Sequence, residues 1–111
     1  MRYTIQEELG TKSDGATNVN LKTQPYPNAH TLCLQHVCAI NRNSNDMDVD
    51  IGVIVGGAIQ WITTLVCEED GSYFHWAGEV FVRSCKQVIL RCRGTNDEDN
   101  IEAYVYGYYL A

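Results

Sequence analysis

The stretch that most constrains the fold covers residues 46–66, where apolar and polar side chains alternate on either side of a glycine pair. In its first half one parity is apolar and the other begins with carboxylates: Met47, Val49, Ile51, Val53 and Val55 against Asp46, Asp48 and Asp50. A period of two is typical of a β-strand with one buried face. Gly56 and Gly57 can adopt the positive φ of a tight turn, and a second β-rich segment follows. The sequence therefore predicts a β-hairpin.

The chain from residue 31 onward repeats this pattern of short β-rich segments separated by turn residues. Further strands are predicted over 31–40, 73–83, 87–93 and 101–110, separated by polar loops at 41–46, 68–72 and 94–100, with a bulge or bend at Gly78. No segment shows sustained helical spacing. The pattern predicts an all-β fold, an antiparallel two-sheet sandwich of jelly-roll type.

The strand over 31–40 is expected to be central, because both of its faces are fairly apolar. Strict alternation assigns its residues to two faces, Leu32, Leu34, Cys38 and Ile40 on one and Thr31, Cys33, Gln35, Val37 and Ala39 on the other.

Residues 1–30 differ from the rest, because apolar residues are sparse and turn formers are frequent. Pro25 and Pro27 favour an extended conformation around Tyr26. We predict an extended N-terminal arm over 1–30, with one short strand at 18–22, and a β-sandwich domain over 31–111. An edge strand followed by a loop is an equally good interpretation of the first 30 residues.

Bulk composition excludes some classes of function. The 111 residues suit one domain, and a net charge of −6 opposes binding to a nucleic-acid backbone. No segment is apolar enough for a membrane span or a secretory leader, so we expect synthesis in the cytoplasm. The five cysteines form an odd set without a CxxC pair, which predicts reduced thiols, at most one disulfide and a fold that survives reductant.

The histidines suggest a metal site only weakly. His36 and Cys38 share a strand face, and His30 and His75 complete the set. No pair has zinc-knuckle spacing, and we predict a half-buried histidine and a core thiol instead of a metal site.

The carboxylates give no better case for a metal or for catalysis. Asp46, Asp48 and Asp50 resemble a calcium loop, but Gly52 does not occupy the required position. The cluster over 97–99 suits a solvated loop better than a calcium site. No nucleophile elbow, phosphate loop or dinucleotide motif is present, and we predict no bound cofactor.

The aromatic residues are the feature of the sequence that most strongly suggests a binding surface. Tyr104, Tyr106 and Tyr108 fall on one face of the last predicted strand, opposite Ile101, Ala103 and Val105. Such a row can be a sugar platform, a subunit interface or an ordinary cross-strand ladder. The residues that we predict at an interface are Tyr104, Tyr106, Tyr108, Tyr26 and Trp61.

Three stretches together resemble a known family. They are 32–41 (LCLQHVCAIN), 49–57 (VDIGVIVGG) and 99–110 (DNIEAYVYGYYL). Their strand pattern resembles that of the small jelly-roll cement or decoration proteins of tailed bacteriophages. An acidic Gly-Asp is usual before the penultimate strand in that family, whereas this chain has Ser84-Cys85-Lys86-Gln87.

The resemblance implies a non-enzymatic virion protein on the capsid surface, commonly a homotrimer, that binds neighbouring copies of the major capsid protein. Two other functions compete with it. One is a carbohydrate- or receptor-binding module of a phage tail or fibre, which would use Trp61, Tyr73 and Trp76. The other is a small enzyme, which a screen with Zn²⁺, Ca²⁺ and chelators would detect. Fold does not decide among the three.

Overall fold

The computed structural model describes residues 1–15, 18–43, 47–66 and 74–111, and these form eight β-strands in two antiparallel four-stranded sheets. The strands are β1 (Arg2–Lys12), β2 (Asn18–Lys22), β3 (Thr31–Asn41), β4 (Asp48–Val55), β5 (Ala58–Val66), β6 (Phe74–Arg83), β7 (Cys85–Arg93) and β8 (Asn100–Leu110). The all-β sandwich and the six strands from residue 31 onward are confirmed. The predicted turn at 68–72 and part of the predicted loop at 41–46 lie outside the described residues.

Along the chain each strand crosses to the other sheet, except that the consecutive strands β4 and β5 share one sheet. Sheet I has the order β1-β8-β3-β6, and sheet II has the order β2-β7-β4-β5. This interleaved order is compatible with the jelly-roll type. The edge strands are therefore β1 and β6 in sheet I, and β2 and β5 in sheet II. The described part of the chain holds no helix that could cross a membrane.

The core lies between the two sheets and is built from inward-facing aliphatic side chains. The largest that are fully buried include Leu32, Leu34, Val37, Val49, Ile51, Val53, Val88, Leu90, Ile101 and Val105. Alternate residues of each strand face inward, as the period of two requires, except where a register shift interrupts β3. Burial of these side chains is the main source of the stability of the fold.

The predicted hairpin is confirmed as β4 and β5. Gly56 and Gly57 connect the two strands with φ of 57° and 80°, the left-handed values that a tight hairpin turn requires. Within the hairpin the register shifts between Ile51 and Gly52, and the ring of Trp61 lies over the bare Cα of Gly52. A Cβ at position 52 would lie 2.7 Å from that ring.

The structure corrects the prediction of an arm for residues 2–12. This segment is β1, which pairs with β8 over eleven consecutive positions from Arg2 to Lys12. The predicted short strand at 18–22 is confirmed as β2, paired with β7. Ile5 is buried and Leu9 packs against the core, so two well-placed aliphatic residues and an unbroken ladder are enough to hold β1 in sheet I. The alternative interpretation, an edge strand followed by a loop, is closer to the structure, which has two edge strands, β1 and β2, in this part of the chain.

The assignment of faces in β3 is also corrected. A register shift lies between Leu34 and His36, so Leu32 and Leu34 face inward before it, whereas Val37 and Ala39 do so after it. Cys33, His36, Cys38 and Ile40 therefore lie on the outer face. An extra residue in one strand reverses the parity of all that follows. On β6 the same irregularity spans Ala77 to Val80, which includes the predicted bend at Gly78.

Candidate interaction surface

The outer face of sheet I carries the predicted row of tyrosines. Tyr104, Tyr106 and Tyr108 are half-buried on this face, while the intervening residues of β8 are buried in the core. Their neighbours on β3 are Cys38, His36 and Cys33, and the next residues across, on β6, are His75, Ala77 and Phe81. We call this set the tyrosine face.

One end of the tyrosine face is closed by stacking. The guanidinium carbon of Arg2 lies 3.7 Å from the centroid of the Tyr108 ring, a cation–π contact. Cys33 is fully buried next to Tyr108, although it lies outside the inter-sheet core. Burial raises the pKa of the Cys33 thiol, which therefore stays protonated near neutral pH. Phe81, the cross-strand neighbour of Cys33, is 59% exposed.

Two of the three histidines meet at the other end of the tyrosine face. The His36 Nε2 and His75 Nδ1 atoms are 3.1 Å apart and share one hydrogen bond. His30 lies apart from this pair and contacts the hydroxyl of Thr31. The described residues contain no group of three histidine, cysteine or acidic side chains that could hold a metal ion.

Tyr26 and Trp61 lie away from the tyrosine face. Tyr26 is only 7% exposed, stacks on Tyr109 with ring centroids 5.1 Å apart, and donates a hydrogen bond to the Glu7 carboxylate. It closes the core beneath the connection between β2 and β3, so the monomer leaves almost none of its ring for a partner. Trp61 is 41% exposed on sheet II. An interface role for Trp61 and for the three tyrosines of β8 stays a prediction.

The outer face of sheet II carries a buried carboxylate held by cations. Asp50 accepts hydrogen bonds from Arg91 Nε and Arg93 Nε, each at 2.8 Å, and from the Thr64 hydroxyl at 2.6 Å. The Arg91 guanidinium also lies 4.3 Å from the Trp61 ring centroid. The two outward arginines of β7 therefore pair with one carboxylate, and Asp50 has a structural role.

The acidic loop before β8 is also held by hydrogen bonds. Asp99 is 5% exposed and accepts hydrogen bonds from Asn41 Nδ2 at 2.8 Å and from the Asn96 backbone at 2.9 Å. Glu98 pairs with Lys12 at 3.2 Å, near the end of β1. These contacts tie the loop to β1 and β3. Asp46, which was considered with Asp48 and Asp50 as a calcium ligand, lies outside the described residues.

With this geometry established, comparisons with known proteins show a likeness in fold. A chain of the Bacillus endospore appendages, described as a novel family of disulfide-linked pili, has a TM-score of 0.52 at 14% identity; the match covers 98% of this chain and 89% of that one. A chain of infectious bursal disease virus, Gt strain, has a TM-score of 0.43 at 9% identity, covering 97% of this chain and 32% of that one. No family model and no curated protein matches the sequence. The likeness to the appendage chain shows a shared β-sandwich fold.

The thiols differ in their access to solvent. Cys33, Cys85 and Cys92 are buried, and Cys38 is half-buried on the tyrosine face; all four are free thiols. Burial raises the pKa of Cys85, and it raises the pKa of Cys92 to about 12. Cys33, Cys85 and Cys92 therefore behave as small buried side chains, which leaves Cys38 as the most accessible thiol among the described residues. Cys67 lies outside them.

The Asp50 cluster gives a testable dependence of stability on pH. Burial opposes the charged form, but the hydrogen bonds from Arg93, Thr64 and Arg91 outweigh it and lower the pKa of Asp50 from 3.8 to about 2. A depressed pKa in the folded state adds stability above the unfolded value and loses it as the pH falls toward the folded value. Asp50→Asn should therefore cost about 2 kcal/mol of unfolding free energy at neutral pH. Urea unfolding at several pH values should show this cost shrinking between about pH 5 and pH 2.

Asp48→Asn is the matched control for this measurement. Asp48 is 41% exposed, and its carboxylate is 4.0 Å from Arg93 Nη1. An exposed ion pair of this kind is worth well under 1 kcal/mol, so the control should unfold almost as wild type does. A pH-independent loss in Asp50→Asn would contradict the role given to the charge.

Residues of β1 complete the tyrosine face, and the sequence did not indicate them. Arg2 stacks on Tyr108, while Glu8 pairs across the ladder with Tyr104. Their partners are almost the whole chain away, so only the pairing of β1 with β8 reveals them. A glycine within the strand, Gly10, is a local signal that could have drawn attention to this region.

Proposed function

We propose that the chain is a non-enzymatic structural protein of a virion surface, a capsid decoration or cement protein that binds the major capsid protein as a homotrimer. The observation that carries the proposal is the tyrosine face, whose tyrosines stay partly exposed and over which no other described strand packs. Tyrosine is enriched at protein interfaces, because its ring buries apolar area while its hydroxyl keeps a hydrogen-bond partner. The resemblance to phage cement proteins supports the same function.

The edges of sheet I support self-association. β1 and β6 are eleven and ten residues long, contain no proline, and have no further strand beside them among the described residues. Long free edges offer unpaired backbone groups to another strand. Pairing of β1 in one subunit with β6 in the next is a head-to-tail contact, and three such contacts close a ring when the rotation is 120°.

The competing sugar-binding interpretation has less support. Trp61 lies on the outer face of sheet II, whereas Trp76 packs against the core from sheet I. The third aromatic residue of that interpretation, Tyr73, lies outside the described residues. Trp61 and Trp76 therefore do not form one platform, which a stacked sugar would need.

Assembly should depend on the tyrosine face more than folding does. In a double variant, Tyr104→Ser with Tyr106→Ser, we expect the dissociation constant of the trimer and that of its complex with purified empty capsids to rise at least about tenfold. The reason is that both rings leave the interface while the core beneath them stays intact. Light scattering over a dilution series and co-sedimentation with capsids measure the two constants, and thermal unfolding at matched concentration measures folding.

The matched control replaces two exposed aliphatic residues of sheet II, Ile59→Ser with Val66→Ser, which are 43% and 60% exposed. This variant should assemble as wild type does. A wild-type chain that stays monomeric at high concentration and does not bind capsids would refute the proposal. Assembly that is lost in reductant would instead favour a disulfide-linked mode, as described for the Bacillus appendages.

A further inference from the structure

One glycine in the chain has no conformational explanation. Of the eight described glycines, four have positive φ, and a Cβ at three others would lie within 3.1 Å of a neighbouring atom. Gly10 has neither property, because a Cβ there would meet only the Ile101 carbonyl oxygen at 3.6 Å, an ordinary contact. Glycine weakens a strand interior, and in that position it often marks a place where a ligand or another chain approaches.

The space left open by Gly10 is a groove on the outer face of sheet I. It has a volume of about 510 Å³ and runs across β1, β8 and β3 at the end of the tyrosine face. Gly10 pairs with Glu102, which pairs with Ile40; one step along, Glu8 pairs with Tyr104, which pairs with Cys38. Gly10 therefore leaves space in the groove beside the Tyr104 ring and the carboxylates of Glu8 and Glu102.

The charges in the groove do not cancel. Arg42 lies at one side and pairs with Glu102, with Nη2 and Nε 2.8 and 2.9 Å from the carboxylate oxygen Oε2. Glu8 is exposed and has no hydrogen bond or ion pair with any described residue. The groove therefore has one uncompensated negative charge next to the half-buried Tyr104 ring, an arrangement that complements a single flat cation.

We propose that this groove binds an arginine side chain of a partner protein, with the guanidinium against Tyr104 and paired with Glu8. Arginine fits because its planar cation can contact an aromatic ring and form two parallel hydrogen bonds with a carboxylate. The proposal rests on the proposed function only for the origin of the arginine, which the major capsid protein would supply. A binding test with a small peptide does not depend on assembly.

The test uses the dilute full-length chain, labelled with ¹⁵N and titrated with acetyl-Gly-Arg-Gly-amide. The comparison peptide carries citrulline, which has the shape of arginine without its charge. We expect saturable shifts of β1 and β8 amides at millimolar arginine peptide, and binding weaker by about fivefold or more for citrulline. The arginine peptide should also slow alkylation of Cys38, followed by mass spectrometry of the peptide that contains it.

Three variants locate the binding. Gly10→Leu should fill the groove and abolish binding, and Glu8→Gln should weaken it about fivefold without changing the shape. Glu79→Gln, an exposed carboxylate on β6 outside the groove, should leave binding unchanged. Equal binding of the two peptides, binding that survives Gly10→Leu, or preferential binding of a neutral sugar would overturn the proposal. Because the monomer is titrated, failure here leaves the trimer and capsid measurements to decide the proposed function.

Discussion

Gly107→Ala should destabilise the protein by at least about 3 kcal/mol, a fall of roughly 10 °C or more in melting temperature. Gly107 lies in the middle of β8, between Ile5 of β1 and Leu34 of β3. A Cβ at this position would lie 2.2 Å from the Cys33 carbonyl oxygen and 3.3 Å from the Leu34 Cα. Both atoms belong to the backbone, so no side-chain rotation can relieve the overlap. The strands would have to separate at the centre of sheet I.

Gly10→Ala is the matched control, since it makes the same substitution in the adjacent strand. The Cβ would lie 3.6 Å from its nearest neighbour, the Ile101 carbonyl oxygen. The loss of glycine's freedom in the unfolded chain should then leave stability unchanged or raise it by up to about 1 kcal/mol. Chemical and thermal unfolding of both variants measure the contrast. Similar losses in the two variants would mean that the close approach at Gly107 does not limit the packing of β8.

Deletion of residues 1–12 should abolish cooperative folding. It removes a strand that is paired over eleven positions, together with the buried Ile5 and the packed Leu9. It also removes Glu7, which accepts hydrogen bonds from the Tyr26 hydroxyl and from the Gln24 backbone. The two aliphatic side chains alone account for about 3–5 kcal/mol, comparable with the whole stability of many domains. Circular dichroism and thermal unfolding would show the loss.

A peptide of residues 1–13 added to the truncated chain gives a sharper test. Because β1 is an edge strand, the peptide can add to β8 from outside and should restore a cooperative transition. The control peptide replaces Ile5 and Leu9 with aspartate and should not restore it, since charges would then enter the core. A truncated chain that unfolds cooperatively near the wild-type temperature would show that β1 is dispensable.

The sequence predicted the elements whose signals are local. Gly56 and Gly57 marked the β4–β5 turn, and the alternation in β8 separated its tyrosines from Ile101 and Val105. A period of two and a turn residue depend only on neighbours in the chain. Such signals were sufficient for the sandwich and for the face on which the tyrosines lie.

The failures share a different cause. β1 looked like part of an arm because apolar residues are sparse over residues 1–30, and Glu7, which bonds to Tyr26, occupies a place in its inward series. In β3 the irregularity after Leu34 is set by pairing with β6 and β8, and the residues themselves do not show it. Likewise, no residue near Gly10 in the sequence indicates that Tyr104 and Arg42 line the same groove. Each of these features is created by pairing between distant strands.

The β1–β8 ladder has a consequence for how the chain is made. β1 leaves the ribosome before the other seven strands of the sandwich, yet its partner is β8, the last of the eight. Sheet I therefore cannot close until β8 has been made, and slow folding is expected when contacts join such distant residues. During that wait β1 is an unpaired strand, but its outward residues Thr4, Gln6 and Glu8 are polar. Those side chains disfavour aggregation of the unpaired β1 until β8 has been made. This is a role for polar residues during synthesis, in addition to any role in the folded structure.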